Sequence, residues 1–176
     1  MATVFDVAAY ILNHTGRMNT MKLEKLVYYA QAWSSAWGEG PLFEQPVEAW
    51  KEGPVVRELR ESHKGLRWIG SVDGDPHTLT ARQKRSVDAV LNVYGSMRPE
   101  QLSSMSCSED PWIESYRNGL DRTISFEDMK RFYGPEVAER LGGQGTFLLK
   151  TILSKVPEGQ QGGEVSWGPP VGREVW

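Results

Sequence analysis

The residues able to do chemistry in this 176-residue chain are few and scattered. Its three histidines, His14, His63 and His77, stand in separate segments and form no HxxxH or HExxH pair. That spacing offers no transition-metal ligand set, and the plain reading is three structural or solvated imidazoles. Cys107 is the lone cysteine, in a serine-rich stretch ahead of Pro111. It excludes an intrachain disulfide framework and a multi-cysteine zinc site. A nucleophilic thiol needs a neighbouring base and a lowered pKa. The local context supplies neither, so Cys107 reads as a small buried or half-buried residue. The run Leu141-Gly142-Gly143-Gln144-Gly145-Thr146 has no P-loop lysine and follows an expected helix rather than a strand, so it reads as a loop. The acidic residues form no acid/base frame. The expectation is therefore no catalytic residue, no metal and no cofactor.

What is left is positive charge and tryptophan. Arg57, Arg60 and Lys64 recur at i, i+3 and i+7, on one face of an expected helix. Arg67 follows, and Lys51 extends the set. Glu52, Glu58 and Glu61 are interleaved, so a solvated face of mixed charge is the plain reading, and a phosphate-binding or partner-binding face is the sharper one. Arg82, Lys84 and Arg85 repeat the pattern on a smaller scale. Of seven tryptophans, Trp33 and Trp37 fall on an apolar helical stripe and read as core. Trp50, Trp68 and Trp112 sit at element edges, beside Gly-Pro or after Asp-Pro. Tryptophan fills cores and also dominates binding hot spots, so these three read as core or as partner contacts.

The elements that must position these groups are mostly helices. Val4, Val7, Ala8, Ile11 and Leu12 mark one helix face, with Thr3 as N-cap and Gly16 as stop; Asn13 to Asn19 reads as a loop. Leu23, Leu26, Val27, Ala30, Trp33 and Trp37 mark a second, widened by Tyr28 and Tyr29 and ended by Gly38. So broad an apolar perimeter predicts the central helix of the core. Val47 to Lys51 alternates like a short strand, and Gly53-Pro54 then predicts a turn into a helix begun by Pro54. Thr80 with Gln83 forms a capping box for a helix ended by Gly95. Pro99, Asp110-Pro111 and Ser125-x-x-Asp128 open three more, the last ended by Gly134. A short helix is also expected from Pro135 to Leu141, and Thr146 to Leu153 is apolar enough for a helix or a strand, of which the helix is favoured. The last 22 residues hold five glycines and three prolines, too many for a packed element, although Trp167 and Trp176 lie there. The fold class expected is mainly α: a compact multi-helix domain over residues 1–154, with a small β-strand or hairpin element and a Gly/Pro-rich tail over 155–176.

Composition narrows the function classes. Apolar residues make up 39% and the formal net charge is −3, which gives no global attraction to nucleic acid or an anionic membrane. The N-terminal residues Met1 to Asp6 carry no basic segment, and no apolar run approaches the ~18 residues a membrane span needs. The expected setting is cytoplasmic.

Several segments carry more than periodicity. These are Lys22-Leu23-Glu24-Lys25-Leu26-Val27-Tyr28-Tyr29-Ala30-Gln31-Ala32-Trp33, then Pro41-Leu42-Phe43, then Glu48-Ala49-Trp50-Lys51-Glu52-Gly53-Pro54-Val55-Val56, and Asp110-Pro111-Trp112. In this order, with Tyr94-Gly95 and Leu102-Ser103, they resemble the Panacea domain family from about Val4 to about Tyr133. This is the SocA-like antitoxin domain, often met as a phage-associated protein. The resemblance implies a mainly helical fold with a small β element and a non-enzymatic protein that neutralises a protein toxin by direct contact. It also implies, as an alternative, a protease adaptor working with a chaperone–protease complex. No catalytic residue belongs to the motif. Leu23, Leu26, Tyr28, Tyr29, Trp33, Gly53, Pro54, Asp110 and Pro111 are its structural residues. Trp50, Lys51, Arg57, Arg60, Lys64 and Trp112 are the candidate partner-binding residues. A nucleic-acid regulator using Arg57, Arg60, Lys64 and Arg67 is the reading of a different class. Departures from the family pattern are Ser106 to Ser108, where many members carry His, and Glu52, where many carry Tyr.

Overall fold

A computed structural model describes residues 1–38, 40–119 and 122–134. Among these residues the chain folds into α1 (Val4–Thr15), β1 (Met18–Asn19), α2 (Thr20–Ala36), β2 (Val47–Trp50), β3 (Gly53–Val56), α3 (Arg57–Ser62), β4 (Trp68–Ile69), α4 (Ala81–Tyr94), α5 (Pro99–Cys107), α6 (Asp110–Arg117), β5 (Thr123–Ile124) and α7 (Phe126–Tyr133), with a 3-10 turn at Pro76–Thr78. The mainly helical class with small β elements is borne out. The expected helices from Pro135 and over Thr146 to Leu153, and the tail, lie outside the described residues.

α2 is the axis. Its neighbours are α1, α4, α5, α7 and β3, so it is enclosed on all sides, as its wide apolar perimeter predicted. Leu23, Leu26, Tyr28, Tyr29 and Trp33 are all buried in the core cluster. The caps read from the sequence are present: Thr3 with Asp6 on α1, Thr80 with Gln83 on α4, and Ser125 accepting from the Asp128 amide on α7.

The strands form two antiparallel sheets. One is the pair β1–β4, with Met18 opposite Ile69 and Asn19 opposite Trp68. The other has the order β3-β2-β5, with Val47 opposite both Val56 and Ile124. Val47, Ala49 and Ile124 point into the core, and the alternate residues Glu48 and Trp50 are half-buried on the outer face.

Four expectations are corrected. Pro54 does not begin a helix; it lies in β3, opposite Ala49, and α3 starts only at Arg57. Gly53-Pro54 is therefore the second strand of a hairpin rather than a strand-to-helix turn. The single expected strand was half of a pair, because Val55 and Val56 have partners in β2 that only the tertiary fold supplies. Lys64 is not on the helix face of Arg57 and Arg60, since α3 ends at Ser62 and residues 63–65 form a turn. The stretch Asn13 to Asn19 is not all loop: α1 runs to Thr15, and Met18–Asn19 pairs with β4. α6 begins one residue earlier than the Asp-Pro signal implied, with Glu109 as N-cap and Asp110 as the first helical residue.

Candidate partner-binding site

The β2–β3 hairpin reverses at Lys51-Glu52, and both turn residues are exposed. Three helices hold this hairpin from behind, each through a side chain that donates to a hairpin carbonyl. Trp112 of α6 donates its indole N–H to the Trp50 carbonyl at 2.8 Å. Ser103 of α5 donates to the Glu52 carbonyl at 2.8 Å. Lys25 of α2 donates to the Pro54 carbonyl at 2.9 Å. Three side chains from three helices thus bond to carbonyls at the hairpin end, which fixes the turn against the core.

Gly53 is required where it stands. Its φ is +109°, a region that L side chains rarely adopt, and a Cβ there would lie 2.8 Å from Lys25 Cε and 2.8 Å from Ser106 Oγ. Lys25 is fully buried. Burial pulls its ammonium down to about 8, against the opposing pull of Glu24.

The outer face carries the aromatic candidates. Trp50 donates its indole N–H to Glu48 at 2.8 Å. Arg57 holds the same carboxylate through two bonds, of 3.0 and 2.8 Å, and its guanidinium stands 5.6 Å from the Trp50 ring. This Arg57 fork, more than any other contact, holds the Glu48 carboxyl below the usual carboxylate range. Trp112 stacks on Tyr116 with ring centroids 4.5 Å apart, and Arg122 covers Tyr116 at 5.0 Å. The structure therefore brings Trp50 and Arg57 together on Glu48, with Lys51 beside them in the turn, while Trp112 reaches the same hairpin through the Trp50 carbonyl. Sequence reasoning missed Tyr116 and Arg122, whose part in this face depends on α6 packing against β2 and β5.

Arg60 is placed elsewhere. It points at Glu24 of α2, 3.6 Å away, and the same carboxylate oxygen lies 3.1 Å from Nε2 of the buried His63. The latter contact does not meet hydrogen-bond geometry, and both ring nitrogens of His63 are buried without a hydrogen-bond partner among the described residues. His63 thus lies in an interior polar cluster, which agrees with the structural reading of that residue.

A second interior cluster lies behind α6. Tyr29 donates to Glu109 at 3.1 Å, Tyr133 donates to the other carboxylate oxygen, and the Tyr28 hydroxyl is 3.3 Å from that of Tyr133. Tyr29 stacks on Tyr94 at 4.3 Å, and Trp33 donates to the Tyr94 hydroxyl at 2.9 Å. Burial pushes the Glu109 carboxyl up to about 7, against the Tyr133 and Tyr29 hydrogen bonds. Glu109 was not singled out from the sequence. The signal available was its position before Asp110-Pro111, where an N-cap carboxylate is common; that it would face three tyrosines was not legible.

A cleft of about 180 Å³ lies between α6 and α7, lined by Asp110, Pro111, Glu114, Asp128, Arg131 and Phe132. Arg131 bridges Glu114 at 2.8 Å and Asp128 at 3.0 Å beside it. Its volume is below the roughly 300 Å³ typical of small-molecule sites.

A family model described as Antitoxin SocA-like, Panacea domain, matches residues 23–113. The chain belongs to that family. The matched span runs from the first buried leucine of α2 to the first turn of α6, so it holds the hairpin and the three side chains that brace it, Lys25, Ser103 and Trp112. It is shorter at both ends than the Val4 to Tyr133 span of the resemblance. Within this Panacea domain Asp110 and Pro111 open α6 and so place Trp112 over the Trp50 carbonyl. No curated protein and no solved structure matches the chain.

Proposed function

We propose that this Panacea domain is an antitoxin-type protein that binds a protein toxin encoded nearby and neutralises it by direct contact, without catalysis. The observation that carries the reading is the family match over residues 23–113. The hairpin face supports a place for the contact. Trp50, Lys51 and Arg57 lie on or beside the hairpin, Trp112 bonds to it, and the three side-chain bonds that brace it limit the ordering cost on binding. Arg60, which faces Glu24, and Lys64, in the turn after α3, are the members of the candidate set that no contact ties to the hairpin.

The test is growth. The neighbouring reading frame is expressed alone, with this protein, and with its Trp50→Ala/Lys51→Ala variant. The Trp50 carbonyl that accepts from Trp112 survives this change, and a melting curve confirms that the variant is folded. Toxicity relieved by the intact protein and not by the folded variant is the expected result. Rescue by both moves the contact surface elsewhere, and a toxic neighbour that the intact protein does not relieve overturns the antitoxin reading.

A further inference from the structure

On another part of the molecule, the segment after α3 presents an apolar surface with unpaired positive charge. Leu66 is 54% exposed and Trp68 43% exposed, the two most exposed large apolar side chains after Met1 among the described residues. Both are fixed by their backbone rather than by their side chains. The Thr20 amide donates to the Arg67 carbonyl at 3.1 Å, the Thr20 hydroxyl donates to the Leu66 carbonyl at 3.2 Å, and the Leu66 amide donates to the His63 carbonyl at 2.9 Å. The β1–β4 register sets Trp68 opposite Asn19, and Arg17 packs beside Gly70, its Cβ 3.7 Å from where a side chain there would begin.

Three exposed cations lie in or beside this segment: Lys64 and Arg67 within it, and Arg17 against Gly70 across the β1–β4 pair. None of them makes an ion pair among the described residues, whereas Arg57, Arg60 and Arg131 all do. The acids on either side in sequence, Glu61 and Asp73, form no ion pair with Lys64, Arg67 or Arg17 among the described residues. The indole N–H of Trp68 is also unused. Those of Trp33, Trp50 and Trp112 each donate to a protein oxygen, and that of Trp68 has no such acceptor.

We infer that Lys64, Leu66, Arg67, Trp68 and Arg17 form a second docking surface, distinct from the hairpin face, for an acidic protein segment carrying an apolar anchor. A carboxylate-rich segment supplies what each group lacks: counter-charge for three cations, an acceptor for the Trp68 N–H, and apolar cover for Leu66. Exposed apolar side chains rimmed by charge are the usual form of such a surface. A nucleic acid fits less well. Three cations release few counterions, and an aliphatic Leu66 gives a base no ring to stack on. An anionic membrane is ordinarily held by roughly four or more clustered cations. The surface goes beyond the antitoxin reading, since it fits an acidic partner whether or not that partner is a toxin.

The test uses the full chain, labelled with ¹⁵N, and two synthetic peptides. One has Asp and Glu around Leu and Phe anchors; the other has Lys at every acidic position. The expected result is saturable shifts confined to residues 17–19 and 64–70, including the Trp68 indole N–H, with the acidic peptide only. Arg67→Glu and Trp68→Ala, both at exposed positions, should each weaken binding about tenfold or more and leave the melting temperature unchanged. Equal binding of both peptides, no shift with either, or affinity unchanged in both variants overturns the proposal. So does tighter binding of a DNA duplex or of phosphatidylserine vesicles than of the acidic peptide, which would make the surface one for polyanions or lipid. Because no toxin is used, failure here is separate from failure of the growth test.

Discussion

The hairpin face and the Leu66–Trp68 face are both aromatic and both basic, yet they are built differently. At the hairpin every named polar group except Lys51 is engaged within the chain. Trp50 is bonded to Glu48, Glu48 to Arg57, and Trp112 to the Trp50 carbonyl. On the other face the cations, the indole N–H and the apolar side chains have no partner among the described residues. The first arrangement makes a rigid platform whose surface energy is already low. The second is a surface with unspent interactions. Residue type alone does not separate them; pairing does.

The comparison can be broken at several points. The largest effect is expected for Gly53→Ala. Both the positive φ and the 2.8 Å approach to Lys25 and Ser106 oppose a Cβ, and the loss should be about 3 kcal/mol or more by denaturant unfolding. Gly65, in the turn before Leu66, also has a positive φ of 84° but meets open space, so Gly65→Ala should cost only ~1 kcal/mol. Equal costs would mean that the hairpin is not braced as described.

The buried groups that back the hairpin should give the fold a dependence on pH that the other face lacks. Glu109 titrates near 7 in the fold against an ordinary 4.5. Between those values the folded state holds the proton and the unfolded state does not, so stability falls as pH rises from about 4.5 to 7, by about 3 kcal/mol. Lys25 titrates near 8 against 10.5. There the unfolded state holds the extra proton, and stability recovers as pH rises from about 8 to 10.5. Denaturation followed across pH should therefore show a minimum contribution from these two groups between pH 7 and 8. Glu109→Gln should flatten the acid limb and raise the melting temperature at pH 8 but not at pH 4.5. An unchanged acid limb in that variant would assign the slope to other groups.

Two tryptophan truncations sharpen the contrast further. Trp112→Ala loses the bond to Trp50, the stack on Tyr116 and half-buried apolar area, and should cost about 2–3 kcal/mol. Trp68→Ala, with no side-chain hydrogen bond or ring contact, should change stability by less than ~0.5 kcal/mol. Were the two alike in denaturant melts, the distinction between platform and open surface would fail.

Much of the frame was legible. The caps Thr3, Thr80 and Ser125 and the broad stripe of α2 are local signals, decided by groups three or four residues apart. β3 was not legible. Gly53-Pro54 looks like a break in any single sequence, and only pairing with β2 makes it a strand. The burial of Lys25 was half-legible: it sits within an apolar perimeter that implied enclosure all round, but a lysine is ordinarily read as the exposed exception. Lys64 was misplaced with Arg57 and Arg60 because a three-four spacing holds only while the helix continues, and α3 stops at Ser62.

By itself the sequence determined the helical frame, its caps, the central place of α2 and the family, because these rest on spacing and on an ordered set of residue types. The tertiary structure alone decided which charges are spent. Arg57 and Arg67 are the same residue ten positions apart; one finds Glu48 across a hairpin, and the other finds no carboxylate. Pairing of this kind depends on through-space distances of a few ångströms between distant segments, and no local pattern encodes them.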